Sequence, residues 1–73
     1  MPDVKKISST ENLGMAIRSR RKQLGLSLHD VANFTNLGVR FISEVERGKS
    51  TAEIGKVIEL CNSVGIDIFV GER

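Results

Sequence analysis

Residues 39–49, VRFISEVERGK, carry two guanidinium groups, a hydroxyl, two carboxylates and an ammonium within eleven positions. A helix sorts such groups by face. At about 100° per residue with Ile42 at zero, Val45 and Glu46 fall within about 60° of it, on an inner side. Arg40, Ser43, Glu44 and Arg47 fall between about 100° and 200°, on the opposite face. Outward guanidinium, hydroxyl and carboxylate groups are what reads base edges and neutralises phosphates. Any amphipathic helix also turns a polar face to water, so the spacing alone leaves both readings open. Phe41, at about −100°, is a flank position that fits core packing better than groove contact.

Other chemistry is scarce. With one His (His29) and one Cys (Cys61), disulfide scaffolds, cysteine zinc sites and most triads are excluded, and no metal or cofactor is expected. No nucleophile–base pair, metal cluster or phosphate loop is present, which argues against an enzyme. His29 reads as a solvated side chain, with phosphate contact as the alternative. Cys61 reads as a small buried hydrophobe, because no base adjoins it to activate a thiolate.

The elements that must position residues 39–49 are short helices. Ser8-Ser9-Thr10-Glu11 fits a capping box. Behind it Leu13, Ala16, Ile17, Arg20 and Leu24 recur at helical spacing, and Gly25 supplies a stop. Ser27 is the next N-cap, with Asp30 at the third helical position, and Leu28, Val31, Ala32 and Thr35 trace one face of a second helix. Asn36-Leu37-Gly38 is expected to turn through a left-handed conformation. A third helix runs from about Val39 to Arg47 and stops at Gly48. Ser50-Thr51-Ala52-Glu53 resembles a second capping box before a fourth helix, whose stripe is Ile54, Val57, Ile58, Cys61 and Val64 and whose stop is Gly65. Ile66–Val70 is β-branched and aromatic and reads as a strand. Two short helices joined by a tight Gly-containing turn make a helix-turn-helix pattern, which a small helical bundle also shows.

At 73 residues the chain is one small domain, of a size that buries only about 60% of its unfolded surface. Self-association or a partner would therefore help it. Hydrophobic content of 40% suits a globule, and apolar runs of two or three residues are far short of a membrane span. No apolar stretch follows Met1, so no secretory signal is expected, and a reducing, cytoplasmic setting is the default. Net charge is +2, unevenly spread: residues 18–49 hold seven bases against three acids, whereas residues 50–73 hold two bases against four acids. A basic middle and an acidic end suggest two surfaces with two kinds of partner.

Residues 13–48 resemble the Cro/lambda-repressor (XRE) helix-turn-helix superfamily. The likeness is carried by the R-K-Q-x-G-L-S run at Arg21–Ser27, the Val31–Ala32 pair and the I-S-x-V-E-R-G-K ending at Ile42–Lys49. Lys6-Ile7-Ser8 and the helix-then-strand ending at Thr51–Val70 resemble HipB-type antitoxins, dimeric autorepressors that bind a HipA-like kinase toxin. The resemblance implies base contacts from Val39, Arg40, Ser43 and Glu44. Arg40 suits guanine O6/N7, Glu44 suits cytosine N4, Ser43 suits either, and Val39 suits the thymine methyl. An ion pair with Arg40, four residues earlier, is the other reading of Glu44. Phosphate contacts are implied for Ser27, Leu28, Arg47 and Lys49. Family members carry Gln where this chain has Leu28, which removes one side-chain donor, and Arg47 and Lys49 also read as solvated charges. Asn36 and Gly38 stand where Gly and a polar cap are usual. Arg21 and Glu46 match a partly buried bridge between helices one and three.

A lone strand cannot satisfy its own backbone, so Ile66–Val70 is expected to pair with its own copy across a two-fold axis. That dimer interface would comprise Ile54, Ile58, Cys61, Ile66, Ile68 and Val70, with an unstructured end as the alternative. The expected architecture is all-α: a four-to-five-helix Cro/lambda-repressor-like helix-turn-helix domain with a short C-terminal β-strand that pairs in a dimer. Residues 1–7 form a flexible arm, 8–65 the DNA-binding domain and 66–73 the dimerisation tail. The expected function is sequence-specific repression through double-stranded operator DNA, as a homodimeric antitoxin that binds a HipA-like kinase toxin. The alternative is a protein-interaction module that kept the helical scaffold without independent DNA binding.

Overall fold

The computed structural model describes residues 4–73, and the first three residues of the expected arm lie outside them. Four helices follow in order: α1 (Thr10–Gln23), α2 (Leu28–Phe34), α3 (Val39–Glu46) and α4 (Ile54–Ser63). α3 is the central element and packs against both α1 and α2. Its Ile42 and Val45 meet Ile17 of α1, Val31 of α2, Leu37 of the turn, and Val57, Leu60, Cys61 and Val64 at α4, all buried in one cluster. Each fully buried Val, Leu or Ile contributes roughly 1.5–3 kcal/mol relative to an exposed one.

Gly14 decides how closely α1 approaches the end of α3. A Cβ there would overlap the Val45 carbonyl oxygen and stand 2.6 Å from that of Glu46. At the far side of this contact Gly48, at φ +92°, ends α3 in a conformation that side chains resist. Its carbonyl accepts a 2.8 Å hydrogen bond from the Thr10 hydroxyl, so the start of α1 is fastened to the α3–α4 turn. Gly25 and Gly65, also left-handed, follow α1 and α4 as expected.

Several local expectations are corrected. The cap of α1 is Ser9, one residue later than read: its hydroxyl accepts from the Asn12 amide, and Ser8 bonds the Asn12 side chain instead. Ser50–Glu53 forms no capping box. The chain is still turning there after Gly48, and Glu53 takes the N-cap position without a side-chain bond. The turn before α3 contains no left-handed residue, and Gly38 has φ −80°. The Thr35 hydroxyl makes that corner by donating to the Val31 carbonyl and accepting from the Leu37 amide. Residues 66–70 leave α4 without forming a strand, because the described chain offers them no second strand to pair with.

Candidate nucleic-acid interface

Leu37, driven into the core by the Thr35 corner, fixes where α3 begins relative to α2. The inner side of α3 is then set by burial of Ile42, Val45 and Glu46, as the angular count anticipates. Glu46 is only 8% exposed and meets Arg21, 7% exposed, in a two-pronged bridge. Arg21 Nε donates to Oε2 at 2.7 Å and Nη2 donates to Oε1 at 2.9 Å. Its remaining arm, Nη1, donates to the Leu26 carbonyl at 2.8 Å. The paired Glu46 carboxylate holds the Arg21 pKa above its ordinary value despite the cost of burial. One guanidinium thus ties together the end of α1, the loop that enters α2 and the end of α3.

The opposite face of α3 is free to meet a ligand. The Arg40 side chain is 91% exposed at the helix start. Val39 and Ser43 are half-buried beside it, and Arg47, the C-cap, is exposed. Glu44 lies between two cations: Oε2 stands 3.6 Å from Arg40 Nε, and Oε1 accepts from Lys49 Nζ at 3.3 Å. The ion pair read for Glu44 and the carboxylate that would accept from a base are therefore on one surface.

At the start of α2 the capping box forms as expected. The Ser27 amide donates to the Asp30 carboxylate at 2.8 Å, and the Asp30 amide donates to the Ser27 hydroxyl at 3.0 Å. The two bonds close the box, and the one from the Ser27 amide is the main cause that holds the Asp30 carboxyl below the usual aspartate range. They also commit Ser27's own amide, so the box leaves the Leu28 and His29 amides as the backbone donors of that helix end. His29 is exposed and Leu28 half-buried. Phe41 is half-buried against the core, with Lys56 Nζ 5.9 Å from its ring centre.

The residues expected at a dimer interface divide. Ile54, Ile58, Ile68 and Val70 are exposed, whereas Cys61 is wholly enclosed by its own chain and Ile66 packs against the same core. Burial raises the Cys61 thiol above its ordinary pKa. Two contributors were not anticipated from the residues. Gly14 has a legible signal, a glycine inside a helical pattern that indicates close backbone approach. Arg20, counted only as a helix-face residue, donates from Nε to the Val64 carbonyl at 3.1 Å, and nothing local to the sequence marks it. Among the described residues no group of three His, Cys, Asp or Glu side chains gathers as a metal site, and no helix is long and apolar enough to cross a membrane.

Known proteins share this arrangement. The helix-turn-helix family profile matches residues 17–70. An uncharacterized HTH-type transcriptional regulator, y4mF, of Sinorhizobium fredii is 39% identical over 72 residues, spanning 94% of this chain and 95% of the relative. Among solved structures, a chain from a complex of a HipB variant with an O2 20mer superposes with a TM-score of 0.87 at 18% identity, covering 96% of this chain and 97% of that one. A chain from a HipB–O4 20mer complex gives 0.86 at 19% identity, covering 94% and 97%. With α2 and α3 packed as a helix pair, α3 bridged to α1 by Arg21 and Glu46, and a family match over most of its length, the chain belongs to the helix-turn-helix family of transcriptional regulators.

Proposed function

We propose that this protein is a sequence-specific repressor that binds double-stranded operator DNA as a homodimer, and that it is the antitoxin of an operon whose HipA-like kinase toxin it holds. The observation that carries the DNA reading is the outward face of α3, with Arg40 fully presented at its start while Glu46 is clamped on the inner side. With α3 in the major groove, Arg40 would reach guanine O6 and N7, Ser43 an adjacent base edge and Val39 a thymine methyl. Arg47 and Lys49 would neutralise phosphates, and the Ser27 hydroxyl and the free Leu28 amide at the start of α2 would donate to one. The exposed apolar residues Ile54, Ile58, Ile68 and Val70 support a second copy as partner, which would set two recognition helices about 34 Å apart or a multiple of it. The toxin partner rests on the likeness to HipB, and an adjacent kinase gene whose product co-purifies with this chain would support it.

Selection of bound duplexes from a random pool at near-physiological salt tests the reading. Enrichment of a palindrome is the expected result. No enrichment from a folded dimer would favour the protein-interaction module instead. Arg40→Ala is expected to weaken binding and relax preference at one position by about 1–3 kcal/mol. An unchanged site preference in that variant would remove Arg40 from the readers.

A further inference from the structure

Glu44 is the one outward carboxylate of α3, since Glu46 is turned inward to Arg21. Its side chain is only 25% exposed, and its two oxygens face different cations, Arg40 on its own helix and Lys49 beyond the Gly48 turn. The Lys49 tie is doubled, because the Lys49 amide also donates to the Glu44 carbonyl at 3.1 Å. The Arg40 tie is the looser one: 3.6 Å, between neighbours at i and i+4, with Arg40 91% exposed. Such exposed pairs are weak and break readily.

A surface that meets phosphates gains affinity from each uncompensated cation, whatever the base sequence. On this face two cations share one anion, and the anion itself would be carried toward a dense row of phosphates. A like charge brought to the interface without a partner penalises the wrong complex more than the right one. A matched site repays the loss of the loose Arg40 pair with a bidentate base contact, and a random site does not.

Resting on the double-stranded DNA reading above, we infer that Glu44 is a specificity-determining counter-charge. It occupies Arg40 and Lys49 off the operator, suppresses binding to random sequence, and yields Arg40 only to an accepting base. This differs from a role as a reader of one cytosine, which would act at a single base position.

Glu44→Gln separates the two, because Gln keeps the shape and an acceptor oxygen but loses the charge. Dissociation constants would be measured by fluorescence anisotropy across a salt series, on the selected duplex and on a random-sequence duplex. The expected result is about fivefold tighter binding of the random duplex, the size of one unit-charge interaction at about 4 Å in water. Its log–log salt slope should steepen by about 0.9, as for one more neutralised phosphate. The selected duplex should gain less, so discrimination falls. In a Glu44→Gln/Lys49→Gln double variant the slope should return to the parent value, and a slope that stays steep would overturn the Lys49 half. Unchanged random binding and slope, with or without preference lost at one base pair, would overturn the counter-charge. Failure of the parent protein to bind any duplex would instead overturn the DNA reading, and this inference with it.

Discussion

Arg21 and Arg40 are chemically identical side chains used in opposite ways, and their surroundings decide which. Arg21 is enclosed, with its hydrogen bonds directed to Glu46 and the Leu26 carbonyl, whereas Arg40 projects into water. Removing one member of an enclosed pair leaves an uncompensated buried charge, at about 3–5 kcal/mol. Arg21→Ala or Glu46→Ala should therefore lose most of the stability of so small a domain, measured as the urea midpoint. Replacing both together, Arg21→Met with Glu46→Leu, should cost clearly less than the two single changes combined. Equal, additive losses would show that the pair is not coupled. The inward direction of Glu46 was legible from its angle on α3, and the identity of its partner from resemblance. The third bond, to Leu26, depends on the loop's path and was not.

Helix ends and helix contacts raise a different question, of register. The Ser27–Asp30 box reads directly off the sequence because both partners lie within one turn. The boxes read at Ser8 and Ser50 shifted or failed, since several Ser and Thr in a row offer competing caps and the neighbouring turn chooses among them. The Asp30 carboxyl, held below its ordinary value, binds a proton less readily folded than unfolded. Its contribution to α2 is complete above the unfolded value, about 3.9, and is lost as pH falls through the lower folded value. An acid titration followed by circular dichroism should show this loss in the parent and a smaller one in Asp30→Asn. Gly14→Ala sets helix propensity against packing. Alanine favours the helix by about 1 kcal/mol. Its methyl would press on backbone oxygens of α3 that cannot swing aside, and overpacking costs about 1–3 kcal/mol. A net loss in thermal melting temperature is expected, and a gain would mean that α1 can move outward freely.

At the scale of the whole molecule, the chain is flat, 38 × 29 × 17 Å, and its short dimension is less than two helix diameters. So thin a body encloses few residues completely and leaves Ile54, Ile58, Ile68 and Val70 in water. Deleting residues 66–73 should lower the dimer fraction and cooperative DNA binding together, read by sizing at micromolar concentration and by binding isotherms. A truncated chain that stayed fully dimeric would remove the tail from the interface and leave α4 to carry it.

The sequence alone determined what depends on neighbours within a turn or two: the four helices, the glycine stops, the cap of α2 and the inner and outer faces of α3. Each follows from backbone sterics, local hydrogen bonding or a period of 3.6 residues, and none needs a distant partner. Only the tertiary structure decided what depends on distant groups meeting. It divided the stripe of α4 into a buried half and an exposed half, turned Arg20 into a tie to the Val64 carbonyl, and brought Gly14 against α3. It also set Glu44 between Arg40 and Lys49, because the Gly48 turn folds Lys49 back over the helix it has just left.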